Sequence, residues 1–331
     1  MRMEHAANGI LLVDKAEGIT SHDVVARARR ALGTRKVGHA GTLDPMATGL
    51  LVLGVGPATR LLTHLVGLDK TYEATVRLGV STVSDDREGN ILSVADQHAI
   101  AELAADPDRL AAAVGDLTGA IEQAPSAVSA IKVDGRRAYD RVRAGEHVEL
   151  KKRPVTVHSF ELEAPRLVAA QGASGGSTPI EVIDVDATVM CSSGTYIRAL
   201  ARDLGEALDV GGHLTELRRT EVGPFQVSQA VSTEQLTEGT LRAEQLVSPA
   251  DIARQLFVVL TLDETQEVDL GHGKRLELRA DQRLSDGTDQ AELAAAIAPS
   301  GRLVGLVSVK NGRTRVVTNF PAADGAGGAA A

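Results

Sequence analysis

Asp44 is the residue whose surroundings best suit chemistry. It stands in the string GHAGTLDPMATG, ahead of an apolar run, with Gly38, Gly41 and Gly49 around it. Glycines let a ligand or the backbone approach closely, and an ionised carboxylate in such a loop is a competent nucleophile. An Asp before proline is also a common turn residue. The local pattern alone leaves both interpretations open.

Two basic residues are candidates to act with this carboxylate. His39 lies five residues upstream, and Arg198 lies far along the chain at the start of a predicted helix. A guanidinium beside a carboxylate lowers its pKa and keeps it charged, so pairing with Arg198 would keep Asp44 reactive. Taken singly, His39 is more simply a structural histidine and Arg198 a surface arginine.

The elements that would position these residues alternate between strands and helices, which predicts an α/β fold. Strands are predicted at 9–13, 50–56, 70–80, 155–163 and 180–190. Helices are predicted for SHDVVARARRALG, capped by Ser21 and ended by Gly33, for 58–67, for one or two segments between Ala99 and Gly119, and for GTYIRALARDLGEAL from Gly194. SAIKVDGRRAYDRVRAG predicts a strand, a turn at Asp134-Gly135 and a basic helix.

The chain is predicted to form a catalytic domain over 1–250 and a small β-rich domain over 251–322. Asn311-Gly312 between alternating runs predicts a hairpin in the second domain. The small-residue segment 169–178 is predicted to be a mobile loop and 323–331 a disordered tail.

Composition limits the classes of function. The single cysteine, Cys191, excludes an internal disulfide and a multi-cysteine metal site. The longest apolar runs are too short to span a membrane and the start of the chain lacks a signal-peptide pattern, so a cytoplasmic protein is expected. The net charge of −9 disfavours a nucleic-acid partner. Locally, however, 130–153 carries eight Lys or Arg against four acids, which would allow one basic face.

Several motifs together resemble the TruB family of tRNA pseudouridine-55 synthases. They are GHAGTLDPMATGLLVLGVGPATR, KTYEATVRLG, SAIKVDGRRAYDRVRAG, KKRPVTVH, CSSGTYIRALARDLG and HLTELRRTEVGPF. The resemblance covers roughly Gly9 to Phe225 and, more loosely, the region after Phe257. Ala16 and Ser126 depart from it, since family members usually have proline at both positions.

The resemblance implies a fold, an activity and a set of site residues. The fold would be a pseudouridine synthase domain with a mixed, largely antiparallel sheet and flanking helices, followed by a PUA-like β domain. The activity would be isomerisation of uridine 55 in the T arm of tRNA, after base flipping, by a monomer without metal or cofactor. Catalytic roles fall on Asp44 as nucleophile, on Tyr72 against the base and on Arg198 as partner of Asp44. The uridine pocket would include His39, Tyr72, Tyr196, Leu217 and Lys15, with Asp86 on a nearby loop.

The basic segment is expected to grip RNA. Within an insertion at about 120–155, Lys132, Arg136, Arg137 and Arg141 are predicted to contact the RNA backbone, although a merely solvated basic face is equally compatible with the pattern.

Three other functions stay open at this point. The first is a non-catalytic tRNA-binding or tRNA-folding protein, and the second is pseudouridylation of another RNA that resembles a T arm. The third is a small-molecule α/β enzyme, which the pI of about 5.5 and the 2% aromatic content would suit.

Overall fold

Strands and helices alternate along the residues that the computed structural model describes, which are 7–126, 132–133, 136–137, 151–171, 179–279 and 281–321. The two short pairs are described by their backbone alone. The chain divides into a first unit of residues 1–43, 51–66 and 227–331 and a second unit of residues 44–50 and 67–226.

The elements are numbered in chain order. The strands are β1 (Gly9–Lys15), β2 (Val37–Ala40), β3 (Thr48–Val55), β4 (Lys70–Leu78), β5 (Val80–Thr82), β6 (Ile91–Val94), β7 (Gly119–Gln123), β8 (Lys132–Val133), β9 (Arg136–Arg137), β10 (Arg153–Leu162), β11 (Arg166–Gln171), β12 (Pro179–Cys191), β13 (Gly212–Val222), β14 (Phe225–Gln226), β15 (Val231–Ser232), β16 (Leu246–Val247), β17 (Val258–Thr261), β18 (Ala291–Ile297), β19 (Leu303–Lys310) and β20 (Arg313–Asn319). The helices are α1 (Ser21–Ala31), α2 (Leu62–Leu65), α3 (Gln97–Ala104), α4 (Pro107–Asp116), α5 (Ile197–Ala207), α6 (Thr233–Glu238), α7 (Pro249–Leu256) and α8 (Glu264–Gly271).

In the first unit, α1 packs its apolar face on strands β1 and β3. Its cap is Thr20, which forms a capping box with Asp23, so the prediction that Ser21 caps the helix is wrong. The Ser21 hydroxyl instead donates to the carbonyl of Leu43 at 3.1 Å and accepts from its N–H at 2.9 Å. Ser21 therefore fixes the residue that precedes Asp44.

A separate four-stranded sheet in the first unit has the order β17-β18-β19-β20. The hairpin predicted at Asn311-Gly312 is confirmed, with φ of 52° and 69° as a two-residue type I′ turn requires. The sheet confirms a C-terminal β domain, while the domain boundaries stay predictions.

The second unit is built on a sheet of order β13-β4-β12-β10-β7, in which all neighbours are antiparallel. β4 lies between β12 and β13 and buries every second side chain from Lys70 to Leu78. This period of two points the residues at even positions into the core. Together with the helices, the sheet confirms the predicted mixed α/β class with largely antiparallel strands.

Three predicted boundaries are wrong. Arg136 and Arg137 are strand residues of β9, paired with β8, whereas the sequence predicted the start of a basic helix; 138–150 lie outside the described residues. Residues 169–171, predicted to be loop, extend β11 because the opposite strand β12 offers them a ladder of partners, and 172–178 are not described. α5 begins at Ile197 and not at Gly194, whose φ of 92° is not helical. In the described part of the chain, no helix is long and apolar enough to cross a membrane.

Gly49 permits the close approach of two backbones in the second unit. It pairs with Arg219 of β13 and has a φ of 99°. A Cβ at this position would lie 2.2 Å from the Arg219 carbonyl oxygen. Since that atom belongs to the backbone of a central strand, it cannot move away cheaply.

Replacing Gly49 by alanine should therefore destabilise the fold. We expect Gly49→Ala to lower the free energy of unfolding by at least about 2 kcal/mol, because backbone strain and overlap add. Gly18→Ala is the control, since Gly18 also has a positive φ but open space around it. For the control, chemical denaturation should show a loss of about 1 kcal/mol in the free energy of unfolding. Equal losses in the two variants would show that contact with Arg219 is not the constraint.

Lys70 is a buried cation at the start of β4. It is 6% exposed and donates to the carbonyl of Leu68. Burial, reinforced by the positive charge of Arg219, lowers the pKa of Lys70 from 10.5 to about 8. On the next strand, burial raises the pKa of the Cys191 thiol to about 11.

The lowered pKa of Lys70 predicts how stability depends on pH. Between pH 8 and 10.5 the folded chain holds fewer protons on this amine than the unfolded chain, so stability should rise with pH across that window. Relative to Lys70→Met, the free energy of unfolding of the natural chain should increase by up to about 3 kcal/mol. The raised pKa of Cys191 makes stability fall with rising pH, but this thiol is present in both proteins and so does not create the difference between them. Parallel pH profiles from denaturant titrations would contradict the assignment.

Candidate active site

Asp44 opens a tight turn that leads into β3. Its carbonyl accepts a hydrogen bond from the N–H of Ala47 at 3.1 Å, and Pro45 occupies the second turn position, which its fixed φ favours. The side chain of Asp44 is 40% exposed. The carboxylate is thus anchored at a strand entrance and accessible to a ligand.

One guanidinium joins Asp44 to a second carboxylate. Arg198 is the second residue of α5 and is 7% exposed. Its Nε lies 3.0 Å from Asp44 Oδ2, and its Nη1 lies 3.0 Å from Asp86 Oδ2. Nη1 also donates to the carbonyl of Ser84 at 2.8 Å. Two acids and a carbonyl compensate the cost of taking this cation out of water.

The loop between β5 and β6 holds Asp86 firmly. Its Oδ1 accepts hydrogen bonds from the Ser84 hydroxyl at 2.5 Å and from the Glu88 N–H at 3.0 Å. The Thr82 hydroxyl donates to its carbonyl at 2.8 Å. The side chain is 5% exposed, so Asp86 is a fixed internal partner of Arg198 and Asp44 is the accessible one.

A second ion pair, one turn further along α5, ties down the same loop. Arg202 Nη1 lies 3.1 Å from Asp85 Oδ2. Asp85 has a φ of 58°, and burial raises its pKa although the charge of Arg202 opposes this effect. Arg198 and Arg202 share a helix face, as residues four apart do, and hold the successive acids Asp86 and Asp85.

Tyr72 lies within the same unit, on β4. It is 7% exposed and stands opposite Arg219 of β13, which donates a hydrogen bond to its hydroxyl. Arg219 is 1% exposed, and its Nε donates to the carbonyl of Leu50 at 2.7 Å. Burial raises the pKa of Tyr72, although the positive charge of Arg219 opposes this effect, so the phenol is protonated at neutral pH.

Leu217 and Tyr196 also belong to this unit. Leu217 is 8% exposed and pairs with Ala74, two positions from Tyr72 along β4. Tyr196 is half-buried and immediately precedes α5. The second unit therefore contains five of the seven predicted catalytic and pocket residues.

The other two, Lys15 and His39, belong to the first unit. Lys15 is fully buried, and its Nζ donates to the carbonyls of Ala16 at 3.0 Å and Ile19 at 2.8 Å, which ties the loop before α1. His39 lies on β2 with its ring edge-on to His22 at 5.6 Å between centroids. Their roles in a uridine pocket stay predictions.

The predicted RNA-contacting residues lie mostly outside the described side chains. Lys132, Arg136 and Arg137 belong to the β8-β9 hairpin, described by its backbone, and Arg141 is outside the described residues. Residues 151–153 of the same basic segment are exposed. Contact with RNA stays a prediction for all of them.

Sequence reasoning missed Arg219 and Arg202. Arg219 is one of two adjacent arginines on β13, and the pattern does not say which of them faces the core. Arg202 follows Arg198 by four residues, a spacing that places both on one helix face and was available as a signal.

Metal ligands are not clustered in the part of the chain that is described. There, no group of three or more His, Cys, Asp or Glu could hold a metal ion.

Three family models match consecutive parts of the chain. Residues 29–197 match the TruB family pseudouridylate synthase N-terminal domain. Residues 198–257 match the tRNA pseudouridylate synthase B C-terminal domain, and 257–321 match the tRNA pseudouridine synthase II C-terminal domain.

Relatives match over nearly their whole length. A protein of Arthrobacter sp. (strain FB24) named tRNA pseudouridine synthase B is 52% identical, over 95% of this chain and 96% of its own. Proteins of the same name from Leifsonia xyli subsp. xyli (strain CTCB07) and Thermobifida fusca (strain YX) are 52% and 48% identical, over 95% of this chain and 97% and 99% of their own.

Solved structures share the fold. A chain in "Structure of H/ACA RNP bound to a substrate RNA containing 2'-deoxyuridine" has a TM-score of 0.65 at 22% identity, covering 97% of this chain and 87% of that one. A chain in "Crystal structure of the archaeal box H/ACA sRNP Nop10-Cbf5 complex" has a TM-score of 0.65 at 24% identity, covering 97% and 88%. The three family models and the relatives at about half identity confirm the resemblance and the enzyme class: the chain belongs to the TruB family of pseudouridylate synthases.

Proposed function

We propose that this enzyme isomerises the uridine at position 55 in the T arm of tRNA to pseudouridine, with Asp44 as its nucleophile. The observation that carries the proposal is the half-exposed Asp44 carboxylate, held 3.0 Å from the buried guanidinium of Arg198. The names of the relatives support tRNA as the substrate class. The T-arm position rests on the motif resemblance.

The reaction moves one bond between two atoms of the same ring. The bond from the ribose C1′ to uracil N1 breaks, a bond from C1′ to C5 forms, the C5 proton leaves and N1 gains a proton. There is no net redox change or hydrolysis, so the chemistry asks the protein for a nucleophile, proton transfer and orientation. Asp44 could attack C6 of the uracil or C1′ of the ribose, and the same carboxylate serves both routes.

Arg198 orients this nucleophile. Its Nε lies beside Asp44 Oδ2, and its ion pair with Asp86 holds the guanidinium in place, so that Asp44 is drawn to one orientation. An ionised carboxylate is the nucleophilic form of this side chain.

Tyr72 would lie against the flipped uracil. Because the phenol is protonated at neutral pH and accepts a hydrogen bond from Arg219, its own proton is available to a second acceptor. Tyr72 can then relay the C5 proton only if its hydroxyl passes one proton on as it takes another. Leu217 offers apolar packing for the ring.

The substrate would approach as RNA with one nucleotide extruded. Unstacking costs a few kcal/mol, which pocket contacts offset. The exposed basic residues at 151–153 support phosphate contact by this segment, despite the net charge of −9. A cytoplasmic location, a monomeric state and independence from cofactors stay predictions.

Replacing Asp44 by asparagine separates catalysis from binding. Asp44→Asn should abolish tritium release from tRNA labelled at uridine C5, while the Kd for tRNA stays within about tenfold, since no phosphate contact is lost. Asp14→Asn, on β1 of the first unit, is the control and should retain turnover. Continued turnover by the Asp44 variant would remove the residue from its role and favour a different nucleophile.

The target position is tested with two transcribed tRNAs. One carries uridine at position 55, and the other differs only by cytidine there. Tritium release is expected from the first alone, because the second tRNA has no uridine at the target position. Equal release from both would show that another uridine is the substrate, and binding of tRNA without release from either would favour a tRNA-folding role.

A further inference from the structure

Gln123 makes a pair of hydrogen bonds with Tyr196, the residue just before the helix that carries Arg198. It is the last residue of β7 and is 1% exposed. Its Nε2 donates to the carbonyl of Tyr196 at 2.9 Å, and its Oε1 accepts from the N–H of Tyr196 at 2.7 Å. The side-chain amide thus holds one backbone residue through both of its polar groups, as a neighbouring strand would.

The place of this contact decides its importance. Tyr196 is the cap residue of α5 and makes no capping hydrogen bond with its own side chain. Its carbonyl also accepts the first helical bond, from the N–H of Leu200 at 3.1 Å. Gln123 therefore fixes the point from which α5, and with it Arg198, leaves the preceding loop.

The residues after Gln123 contact the same machinery. The carbonyl of Ala124 accepts from Arg202 Nη2 at 2.9 Å. The Ser126 hydroxyl donates at 3.0 Å to the carbonyl of Ser84, which is the carbonyl that Arg198 also holds. Segment 123–126 thus forms hydrogen bonds with both α5 and the β5–β6 loop that carries Asp85 and Asp86.

We infer that Gln123 is a positioning residue for catalysis, which sets the orientation of the Arg198 guanidinium toward Asp44 by clamping the backbone of Tyr196. This inference rests on the proposed function of Asp44. Leucine at position 123 would keep the volume but remove the partner of the Tyr196 N–H and leave the Tyr196 carbonyl with the Leu200 hydrogen bond alone. Displacement by about 1 Å at a reacting group costs up to about 100-fold in rate.

The chain offers a matched control for this clamp. Gln97 on α3 makes the same two-way contact with the backbone of Glu181, its Nε2 donating at 3.3 Å and its Oε1 accepting at 2.8 Å, at an exposed position. We expect Gln123→Leu to lower the single-turnover rate at saturating enzyme by about tenfold or more, with the Kd for tRNA within about twofold. Gln97→Leu should change neither quantity.

A conservative variant distinguishes positioning from loss of folding. A protonated Glu carries one donor and one acceptor, like the amide, whereas the carboxylate only accepts. The rate of Gln123→Glu relative to the natural chain should therefore rise as pH falls from 8 to 6, because burial raises the pKa of a carboxyl. A flat ratio would contradict the clamp.

A second measurement does not depend on turnover. In ¹⁵N-arginine NMR spectra, the Nε–H signal of Arg198 should shift or broaden in Gln123→Leu but not in Gln97→Leu. An unchanged signal, or a Gln123→Leu rate within twofold of the natural chain, would overturn the inference. If the natural chain releases no tritium, the proposed function fails, and the Arg198 signal still decides whether Gln123 sets its position.

Discussion

The site depends on one buried guanidinium that is shared between two carboxylates. Arg198 joins Asp86, which is enclosed, to Asp44, which is 40% exposed. Removing one partner of a buried ion pair costs about 3–5 kcal/mol, whereas an exposed pair is worth at most about 1 kcal/mol. Loss of Asp86, the enclosed partner, is therefore expected to cost more stability than loss of Asp44. Because the pair of Arg198 with Asp86 is rigid, Asp44 can remain accessible and still be held in one orientation.

The sheet of the second unit supplies the other constraint. Arg219 and Tyr72 face each other across β13 and β4, and Arg219 is fixed by the carbonyl of Leu50. Gly49 lets this part of the chain lie directly against the Arg219 backbone. Asp44 precedes Gly49 by five residues, so the glycine that allows close strand approach also sets where the turn carrying the carboxylate can lie. A side chain at position 49 would disturb Tyr72 and Asp44 together.

The sequence predicted five strands of the first 200 residues and the main helices, because alternation and turn residues are local signals, whereas the central strand β13 was not predicted. The pairing of Arg198 with Asp44 was predicted from the motif resemblance. The sequence did not predict Arg219 as a buried partner of Tyr72 or Gln123 as a clamp on Tyr196. Both contacts join residues more than 70 positions apart. Nothing in the local sequence marks these residues, because only the strand register brings them together. The prediction that Ser21 caps α1 was wrong for the same reason, since its hydroxyl binds the distant Leu43 and Thr20 is the cap residue.

The central claim is that Asp44, oriented by Arg198, meets a single flipped pyrimidine beside Tyr72. The most direct test is a crystal structure of the enzyme with T-arm RNA that carries 5-fluorouridine at position 55, whose ring cannot release a C5 proton. The account predicts the everted nucleotide beside Asp44 and stacked on Tyr72, with Arg198 still about 3 Å from the carboxylate. A target nucleotide bound away from Asp44, or an Arg198 that turns to other partners when RNA is bound, would contradict it.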